Sequence, residues 1–466
     1  MVRSPAPPRD RAARHRRTRP PASTAARRWW LALAAVAVLA LGACGDDGDE
    51  GSGAGSGGTG GGVTEGAPTA PTLAEAEGAT GEVTFCTGQD ISGAMTKAIE
   101  QFNERYEDQG LSARLREFPA GADEQRTQFI QRQQARSAEC DVFYSDVIWT
   151  AEFAAQKWLM DMTEYVTSRE DEFIASSLEA LQFDGKHWGV PKTTGAGLLY
   201  YRTDRVSSPP RTWQEVYAIA ERQNQNENRS GIVYQGAAYE GLTCDFLEIA
   251  YAAGGQVLNE DGTESAIDSP ENLRALEFMV QGIRDGAAPR AVRTYMEEEA
   301  RRAFESGRAT FMRNWAYAYA LGQQADRIRG DFAVLPLPTF EGAGTGGILG
   351  GNNPVISAYS ENPEGALLLT DWMTSPEILK QDAVEFALPP AMIATYDEPE
   401  VKEALPFSDE LREAIEQASP RPVTAVYPQV SQAIYDNVNA ALGGQMSPED
   451  ALRQADEEID QALASF

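Results

Sequence analysis

The sequence predicts an α/β protein with two domains, and two observations lead to this prediction. From about residue 82, short apolar runs typical of buried strands alternate with longer segments of helical periodicity. Such alternation is typical of a mostly parallel sheet covered by helices. The chain from there to residue 466 is also long enough for two domains with a large core.

The N-terminus has the layout of an export signal. An arginine-rich stretch precedes the apolar residues 29–43, which are fewer than the roughly 20 that a transmembrane helix needs. The letters "LGAC" that end at Cys44 resemble a bacterial lipobox, in which the cysteine is lipidated and becomes the new N-terminus. We therefore predict a lipoprotein signal peptide at residues 1–43 and lipidation at Cys44. A plain cleaved signal and a single anchor helix are the alternatives, and Arg27-Arg28 leaves both Sec and twin-arginine export open.

A flexible tether is predicted at residues 44–81. It includes "GDDGDEGSGAGSGGTGGG", a low-complexity stretch without the apolar content that could offset the loss of chain entropy on folding. The first predicted strand, "EVTFCTG", begins at residue 82. The globular part is therefore predicted to cover residues 82–466.

The chain is strongly acidic, with a formal net charge of −30. It has no basic stripe, so we exclude nucleic-acid binding through release of phosphate counterions and adhesion to anionic lipid. We attribute the acidity to solubility outside the cell.

Histidine and cysteine limit the possible chemistry. His187 is the one histidine that follows the signal, and its context "DGKHWGVP" favours a strand-end or surface position over a catalytic role. Cys86, Cys140 and Cys244 lack CxxC spacing, so we predict no metal site and no cofactor. An exported protein can form disulfides, and Cys86 with Cys140 is the pair to test, but the sequence leaves this pairing undecided.

The first unit alternates strands and helices. Its strands are "EVTFCTG", "LSARLREF" and "CDVFYSDVIW", and its helices are "AMTKAIEQFNERYED" and "ADEQRTQFIQRQQAR". Asp123 near the start of the second helix suits the helix dipole. Ligands of such sheets bind beyond the carboxyl ends of the strands, so the strand-end residues are candidates. They are Gln89, Asp90, Asp146 and Trp149.

The second unit begins near "GAGLLYYRTD", and a Pro-Pro turn precedes a helix near Thr212. Further helices are predicted around residues 243–253, 269–285 and 296–306. "ATFMRNWAYAYA" is a strand that runs into a helix, and "DFAVLPLP" is a strand closed by prolines. "GGILGGNNPVIS" is strand-like and is predicted to return to the first unit; the rest of the chain is helical.

Several blocks of the sequence together resemble one family. They are "CDVFYSDVIWTAEFAAQKWLMDMTEYV", "GLLYYRTD", "PPRTWQEV", "YEGLTCDFLE", "FMRNWAYAYAL", "VLPLP" and "RPVTAVYPQVSQAI". Their order and spacing resemble the extracellular solute-binding proteins of carbohydrate ABC importers, in the trehalose/maltose-type branch. The resemblance covers essentially all of residues 82–466.

This resemblance implies the type II periplasmic-binding-protein fold, in which two α/β lobes joined by hinge strands enclose a sugar. Lobe 1 is expected at 82–194 plus about 345–406, and lobe 2 at 195–344 plus about 407–466. Closure is expected near Gly195–Gly197 and Thr339–Gly346. The implied protein is a monomeric, non-enzymatic receptor that is lipid-anchored on the extracellular face of the membrane. It captures a sugar-like ligand and delivers it to ABC permease subunits.

Three family contacts match residues of this sequence. Arg126 in "ADEQR" matches an arginine that binds sugar hydroxyls through its fork of donors, although a solvated helix face is an equal alternative. Asp146 matches a strand-end aspartate that accepts from paired hydroxyls, and it can also cap the next helix. Trp315 matches a tryptophan that stacks on the sugar, and its alternative is core packing.

Two other family contacts are replaced. The family's Tyr-x-Asp before "AGLLYY" is Thr193-Thr194-Gly195 here, and the tryptophan of "LGGW" is Asn352. An amide donates and accepts hydrogen bonds but does not stack, so a different or smaller polyhydroxylated ligand is as well supported as trehalose or maltose. The predicted ligand-binding residues are Asp90, Arg126, Asp146, Trp149, Thr193, Thr194, Gln235, Tyr239, Glu240, Trp315, Tyr317, Gly351, Asn352 and Asn353.

Two other functions stay open at this point. A secreted glycoside hydrolase needs two carboxylates about 5–10 Å apart across one linkage, and Asp146 with Glu240 is the pair to nominate. A surface lipoprotein that binds another protein would show no stabilisation by small ligands.

Overall fold

The computed structural model describes residues 66–227, 230–341, 344 and 346–465. The predicted signal peptide, Cys44 and the tether up to residue 65 lie outside these residues. Among the residues described, none of the helices combines the length and the apolar character needed to cross a membrane.

Strands and helices alternate along the chain as the sequence pattern predicts. In chain order the strands are β1 Gly81–Thr87, β2 Leu111–Glu117, β3 Val142–Asp146, β4 Gln182–Phe183, β5 Lys186–His187, β6 Gly195–Ala196, β7 Leu198–Arg202, β8 Ser230–Val233, β9 Ala309–Asn314, β10 Phe332–Pro336, β11 Leu349–Gly350 and β12 Asn352–Ile356. The α-helices are α1 Leu73–Ala76, α2 Ala94–Tyr106, α3 Ala122–Gln134, α4 Thr150–Ala155, α5 Thr163–Thr167, α6 Ala175–Glu179, α7 Trp213–Glu227, α8 Glu240–Ala252, α9 Pro270–Asp285, α10 Glu297–Glu305, α11 Ala318–Gln324, α12 Pro363–Met373, α13 Pro376–Phe386, α14 Pro399–Ala404, α15 Ser408–Glu416, α16 Tyr427–Leu442 and α17 Pro448–Ala464.

Lobe 1 is built on a sheet with the strand order β12-β3-β1-β2. β1 lies parallel to β2 and to β3, as the strand–helix–strand rhythm predicts. β12 closes the edge in the antiparallel direction, with Asn352 opposite Asp146. The glycine-rich segment after lobe 2 therefore returns to the first unit, which confirms the prediction for "GGILGGNNPVIS".

Lobe 2 is built on a second sheet with the order β10-β7-β9-β8. β8 and β9 are parallel, whereas β7 runs antiparallel to both β9 and β10. This sheet is mixed because β7 enters from lobe 1 and β10 leads back towards it. Two separate sheets, each with its own buried core, confirm the predicted two-lobed α/β fold.

The chain crosses between the lobes three times. β6 carries it from lobe 1 to lobe 2, and β11, paired antiparallel with β6, carries it back. The third crossing lies between α13, which packs on α2, and α15, which packs on β10. Thr339, predicted to begin the second crossing, still belongs to lobe 2, where its N–H donates to the Arg211 carbonyl at 3.1 Å. The exact lobe boundaries stay a prediction.

Residues 66–80 differ from the prediction, which assigned them to the flexible tether. The N–H of Ala70 donates to the carbonyl of Asp161 at 2.9 Å. Helix α1 begins with a capping box between Thr72 and Glu75, and Ala76 is fully buried in the lobe 1 core. The pattern of Ala, Thr and Pro at residues 66–72 is low in complexity but supplies enough packing to order the segment. The predicted tether therefore extends too far towards the C-terminus.

Cys86 and Cys140 form a disulfide, which answers the question that the sequence leaves open. Both residues are fully buried, in a core of lobe 1 that also contains Phe129, Phe143 and Trp149. Cys244 is the free cysteine of the described residues and is buried in α8. The disulfide fastens β1 to the segment that enters β3, and this fixes the two strands whose ends reach the cleft described next.

Candidate ligand-binding cleft

A cleft lies between the two lobes. It consists of two adjoining cavities of about 260 Å³ and about 430 Å³, each lined by residues of both lobes. The cavities share lining residues, so they are neighbours within one cleft. The shared residues are Ala120, Thr193, Glu297, Tyr317, Asn352 and Leu388.

The lobe 1 wall is formed by the end of β3 and the turn after it. The Asp146 carboxylate accepts a hydrogen bond from the Ile148 N–H at 3.2 Å and so caps that turn. The same carboxylate lines the cleft. Trp149 lines it too, with its ring packed edge-on against Phe129 in the core. Asp146 thus caps the next turn, as the sequence offers, and lies in the cleft where the predicted contact with a sugar would be made.

The crossing strands form the floor of the cleft. The Thr193 hydroxyl donates to the Asn352 carbonyl at 2.9 Å and accepts from the Asn352 N–H at 3.1 Å, which binds the first crossing to the second. A Cβ on Gly351 would lie 2.2 Å from the Thr193 carbonyl oxygen, so only glycine fits there. The Thr194 hydroxyl is buried and has no hydrogen-bond partner in the described part of the chain. Thr194 lines the smaller cavity.

Trp315 and Tyr317 form the aromatic part of the lobe 2 wall, just after β9. The Trp315 ring lies 4.0 Å from the guanidinium carbon of Arg313 and is only partly buried. The crossing strand passes directly beside this ring, since a Cβ on Gly350 would lie 2.9 Å from it. The Tyr317 hydroxyl donates to Glu298 at 2.8 Å.

Arg421 contacts both walls of the cleft, and it is not among the residues predicted from the sequence. Its guanidinium donates to Asp146 of lobe 1 at 3.2 Å and to Glu240 of lobe 2 at 2.7 Å. Glu240 also accepts from the Tyr427 hydroxyl at 2.6 Å. Burial raises the pKa of the Glu240 carboxyl, and the Arg421 charge opposes that rise. One buried guanidinium therefore holds a carboxylate from each lobe.

The arrangement around Arg421 counts against acid–base chemistry at Asp146 and Glu240. Both carboxylates are hydrogen-bonded to the same cation, and hydrolysis requires one free acid and one free base or nucleophile. The hydrolase alternative therefore loses the pair that was nominated for it.

Gln235 was predicted to line the cleft but lies beneath it. Its side chain accepts from the Arg313 guanidinium at 2.9 Å and is fully buried. Arg313 also pairs with Asp245 at 3.0 Å and with Glu248. This buried cluster supports Trp315 from below, so Gln235 is two contacts away from the cleft surface.

Arg126 and Asn353 are also outside the cleft lining. The Arg126 guanidinium is paired with Glu152, with 2.8 Å between Nε and Oε2. The Asn353 side chain is buried and accepts from the Lys192 N–H at 2.8 Å. Loop position and resemblance indicated these residues, but neither signal reports which way a side chain points.

The remaining predicted residues reach the cleft. Asp90 lines the larger cavity, and its carboxylate also accepts from the Thr96 N–H at 2.8 Å at the start of α2. Tyr239 and Glu240 line the smaller cavity at the start of α8. His187 is at a strand end, as predicted, bonded to Gln182 at 3.0 Å. In the described ranges, no group of three or more His, Cys, Asp or Glu side chains is placed to hold a metal ion.

Glu297 is a second cleft residue that the sequence analysis missed. It is the first residue of α10 and lines both cavities. The sequence feature that could have indicated Arg421 as a site residue is its position between two prolines in a chain with few basic residues. For Glu297 it is the run "EEEARRAFE": all three of its leading glutamates line the larger cavity, and only the fold shows that Glu297 lines the smaller one as well.

Comparisons with known proteins agree with this geometry. The family described as bacterial extracellular solute-binding protein matches residues 88–380. A probable ABC transporter-binding protein of Deinococcus radiodurans is 34% identical over 360 residues, which is 74% of this chain and 85% of that protein. The structure of maltose-bound MalE3 of T. maritima has 37% identity and a TM-score of 0.78, covering 82% of this chain and 99% of that one. A solute-binding protein of Thermotoga lettingae bound to α-D-tagatose has 25% identity and a TM-score of 0.76, covering 82% of this chain and 100% of that one.

Proposed function

The chain belongs to the family of bacterial extracellular solute-binding proteins, and on that premise we propose that it is the receptor of an ABC importer for a sugar or a related polyhydroxylated solute. One observation carries the proposal. The cleft is lined from both lobes by aromatic rings and by hydrogen-bonding groups that internal bonds do not fully use. The relatives that bind maltose and tagatose support a sugar-type ligand.

Each wall supplies a different kind of contact to the sugar. Trp315 offers a flat apolar surface to the C–H face of a sugar ring. Asp146 and Arg421 offer charged hydrogen-bonding groups for paired hydroxyls. The free hydroxyl of Thr194 adds a group that both donates and accepts. The proposed role is non-enzymatic. The groups that line the cleft suit binding of hydroxyls, and the two carboxylates nominated for hydrolysis are both paired with Arg421.

Delivery requires that the ligand favour the closed form. A sugar that contacts both lobes is bound better when the lobes close, so the ligand shifts the population towards closure. A permease that recognises the closed form then receives loaded receptors. The paired crossing strands β6 and β11 are the elements about which the lobes would rotate.

The screen that tests this function is a thermal-shift measurement against mono- and disaccharides, polyols and osmolytes. A ligand at 100 times its dissociation constant adds about 2.7 kcal/mol of stability. We expect at least one sugar or polyol to raise the melting temperature. Absence of any shift, together with binding to an extracellular protein, would support the surface-protein alternative. Cleavage of an oligosaccharide in the same samples would support the hydrolase.

Lipid anchoring is a separate part of the proposal and rests on the sequence around Cys44. Replacing Cys44 with Ser should release the protein into the medium, because the exported chain then has no lipid. Recovery of the Cys44→Ser protein in the membrane fraction would contradict the lipobox interpretation, while leaving the cleft and its function unaffected.

A further inference from the structure

The cleft carries more negative than positive groups. Among the described residues, six carboxylates and two guanidinium groups line the two cavities, and no lysine does so. They are Asp90, Asp146, Glu240, Glu297, Glu298 and Glu299 against Arg302 and Arg421. A neutral sugar needs no such excess, and the carboxylates differ in the partners that the protein gives them.

Arg421 neutralises part of the charge on Asp146 and Glu240. On α10, Glu298 pairs with Arg301, and Glu299 pairs with Arg302 at 3.2 Å.

The Asp90 carboxylate caps the start of α2, where it accepts hydrogen bonds from backbone N–H groups at 2.8 and 3.1 Å. Asp90 and Glu297 are thus the cleft carboxylates without a salt bridge in the described part of the chain, and of these two Glu297 lines both cavities.

Glu297 has no salt bridge within the described ranges of the chain; its carboxylate accepts a hydrogen bond from the Tyr239 hydroxyl. Arg313 acts on it from a distance, but that guanidinium is already paired with Asp245 and Glu248. Burial raises the pKa of the Glu297 carboxyl. Glu297 lines both cavities, so a ligand in either one lies near it.

One unpartnered hydroxyl lines the same space. Thr194 is 2% exposed, and its hydroxyl has no hydrogen-bond partner among the residues described. Buried polar groups normally have partners, so this hydroxyl indicates a ligand with hydrogen-bonding groups at this point in the cleft.

We propose that the ligand is an amino sugar, whose protonated amine binds the Glu297 carboxylate while one of its hydroxyls binds Thr194. This inference rests on the receptor function proposed above and specifies the class of its ligand. An ammonium group supplies the countercharge that a buried carboxylate otherwise lacks. The rings of Trp315 and Tyr317 suit a cation near their faces. Sugars with phosphate or carboxylate groups are excluded by the same charges.

Matched ligands test the proposal without altering the protein. The chitosan disaccharide carries two amines, cellobiose has hydroxyls in their place, and N,N′-diacetylchitobiose has neutral amides. Glucosamine, galactosamine and mannosamine are compared with glucose, galactose and mannose in the same way. By isothermal titration calorimetry at pH 7, we expect at least one amine to bind about tenfold or more tighter than both neutral counterparts.

A pair of variants identifies the carboxylate. Glu297→Gln should remove that preference and leave the melting temperature close to that of the wild type. Glu449→Gln is the matched control, since Glu449 also lies in the first turn of a helix but is exposed on α17. It should leave the preference unchanged.

The binding results distinguish failure of the amino-sugar proposal from failure of the receptor function. Neutral sugars that bind as tightly as their amine counterparts, or a preference that survives Glu297→Gln, would overturn the amino-sugar proposal and leave the receptor function standing. A protein that binds none of these sugars, while the wider screen also finds no polyol or sugar, would overturn both.

Discussion

Among single residues, Trp315 can contribute to the ligand site or to the core, and a substitution separates these contributions. The Trp315 ring is partly buried and lies on the Arg313 guanidinium. We therefore expect the residues beneath the ring to keep their positions when Trp315 is truncated. Trp315→Ala should weaken ligand affinity by about 1–3 kcal/mol, by analogy with bases stacked on aromatic rings. Calorimetry measures this loss, and thermal melting measures stability.

The contrary result for Trp315 is well defined. A core tryptophan costs about 3–5 kcal/mol of stability when truncated to alanine. A Trp315→Ala protein that melts far lower yet binds with normal affinity would show that the ring is a packing residue.

Arg421 gives a prediction about stability. Arg421→Met leaves the buried Glu240 and the partly buried Asp146 without their shared cation, and breaking a buried ion pair from one side costs about 3–5 kcal/mol. Urea unfolding of the ligand-free protein measures the loss. Adding Glu240→Gln to Arg421→Met should recover part of it, because one uncompensated charge is removed. A double variant that is no more stable than the single one would contradict this account.

The site residues could be predicted from the sequence only in part. Asp146 ends one strand and Trp315 directly follows another, and the end of a strand in an α/β sheet reaches the cleft by topology. Gln235 and Asn353 follow the same rule but are buried, since the direction of a side chain depends on packing. Arg421 reaches Asp146 from 275 residues away, and no local pattern records such a contact.

At the level of elements, the second crossing segment packs against lobe 2 without space for a side chain at Gly346. A Cβ there would lie 1.8 Å from the Glu248 carbonyl oxygen, in the turn of α8 beside the Arg313 cluster. Gly346→Ala should therefore destabilise the protein by about 1–3 kcal/mol through overpacking. Gly344→Ala is the control, because a Cβ at Gly344 meets nothing within 4 Å. Equal melting temperatures for the two variants would refute the close packing of this crossing.

The helices and strands themselves were largely predictable. Amphipathic helices such as α2 and strands such as β1 are specified by local periodicity, which the sequence carries directly. The exceptions are at the ends of such patterns. "VIW" after β3 continues an apolar run but forms a 3₁₀ turn, because the Asp146 carboxylate caps the Ile148 N–H. Residues 66–80 were placed in the tether since their composition has no periodicity.

For the whole molecule, the two lobes and their paired crossing strands predict closure on binding. Small-angle scattering should show a smaller radius of gyration with saturating ligand than without it, because closure brings the lobe surfaces together. The ligand found by thermal shift is the reagent, and a sugar that gives no shift is the control. An unchanged scattering curve at saturation would count against a clamp that closes about β6 and β11.

The three crossings also determine the order in which the parts of the protein can complete their folding. Lobe 1 lacks the edge strand β12 until the chain has passed through most of lobe 2, and lobe 2 lacks α16 and α17 until the last residues arrive. Contacts between segments so distant in sequence form late, since long loops must close first. An N-terminal lobe therefore cannot fold to completion while the rest of the chain is still being made. A premature stop after α13 would leave the lobe 2 core uncovered, so loss of the C-terminal helices should mark the truncated chain for proteolysis rather than yield a smaller receptor.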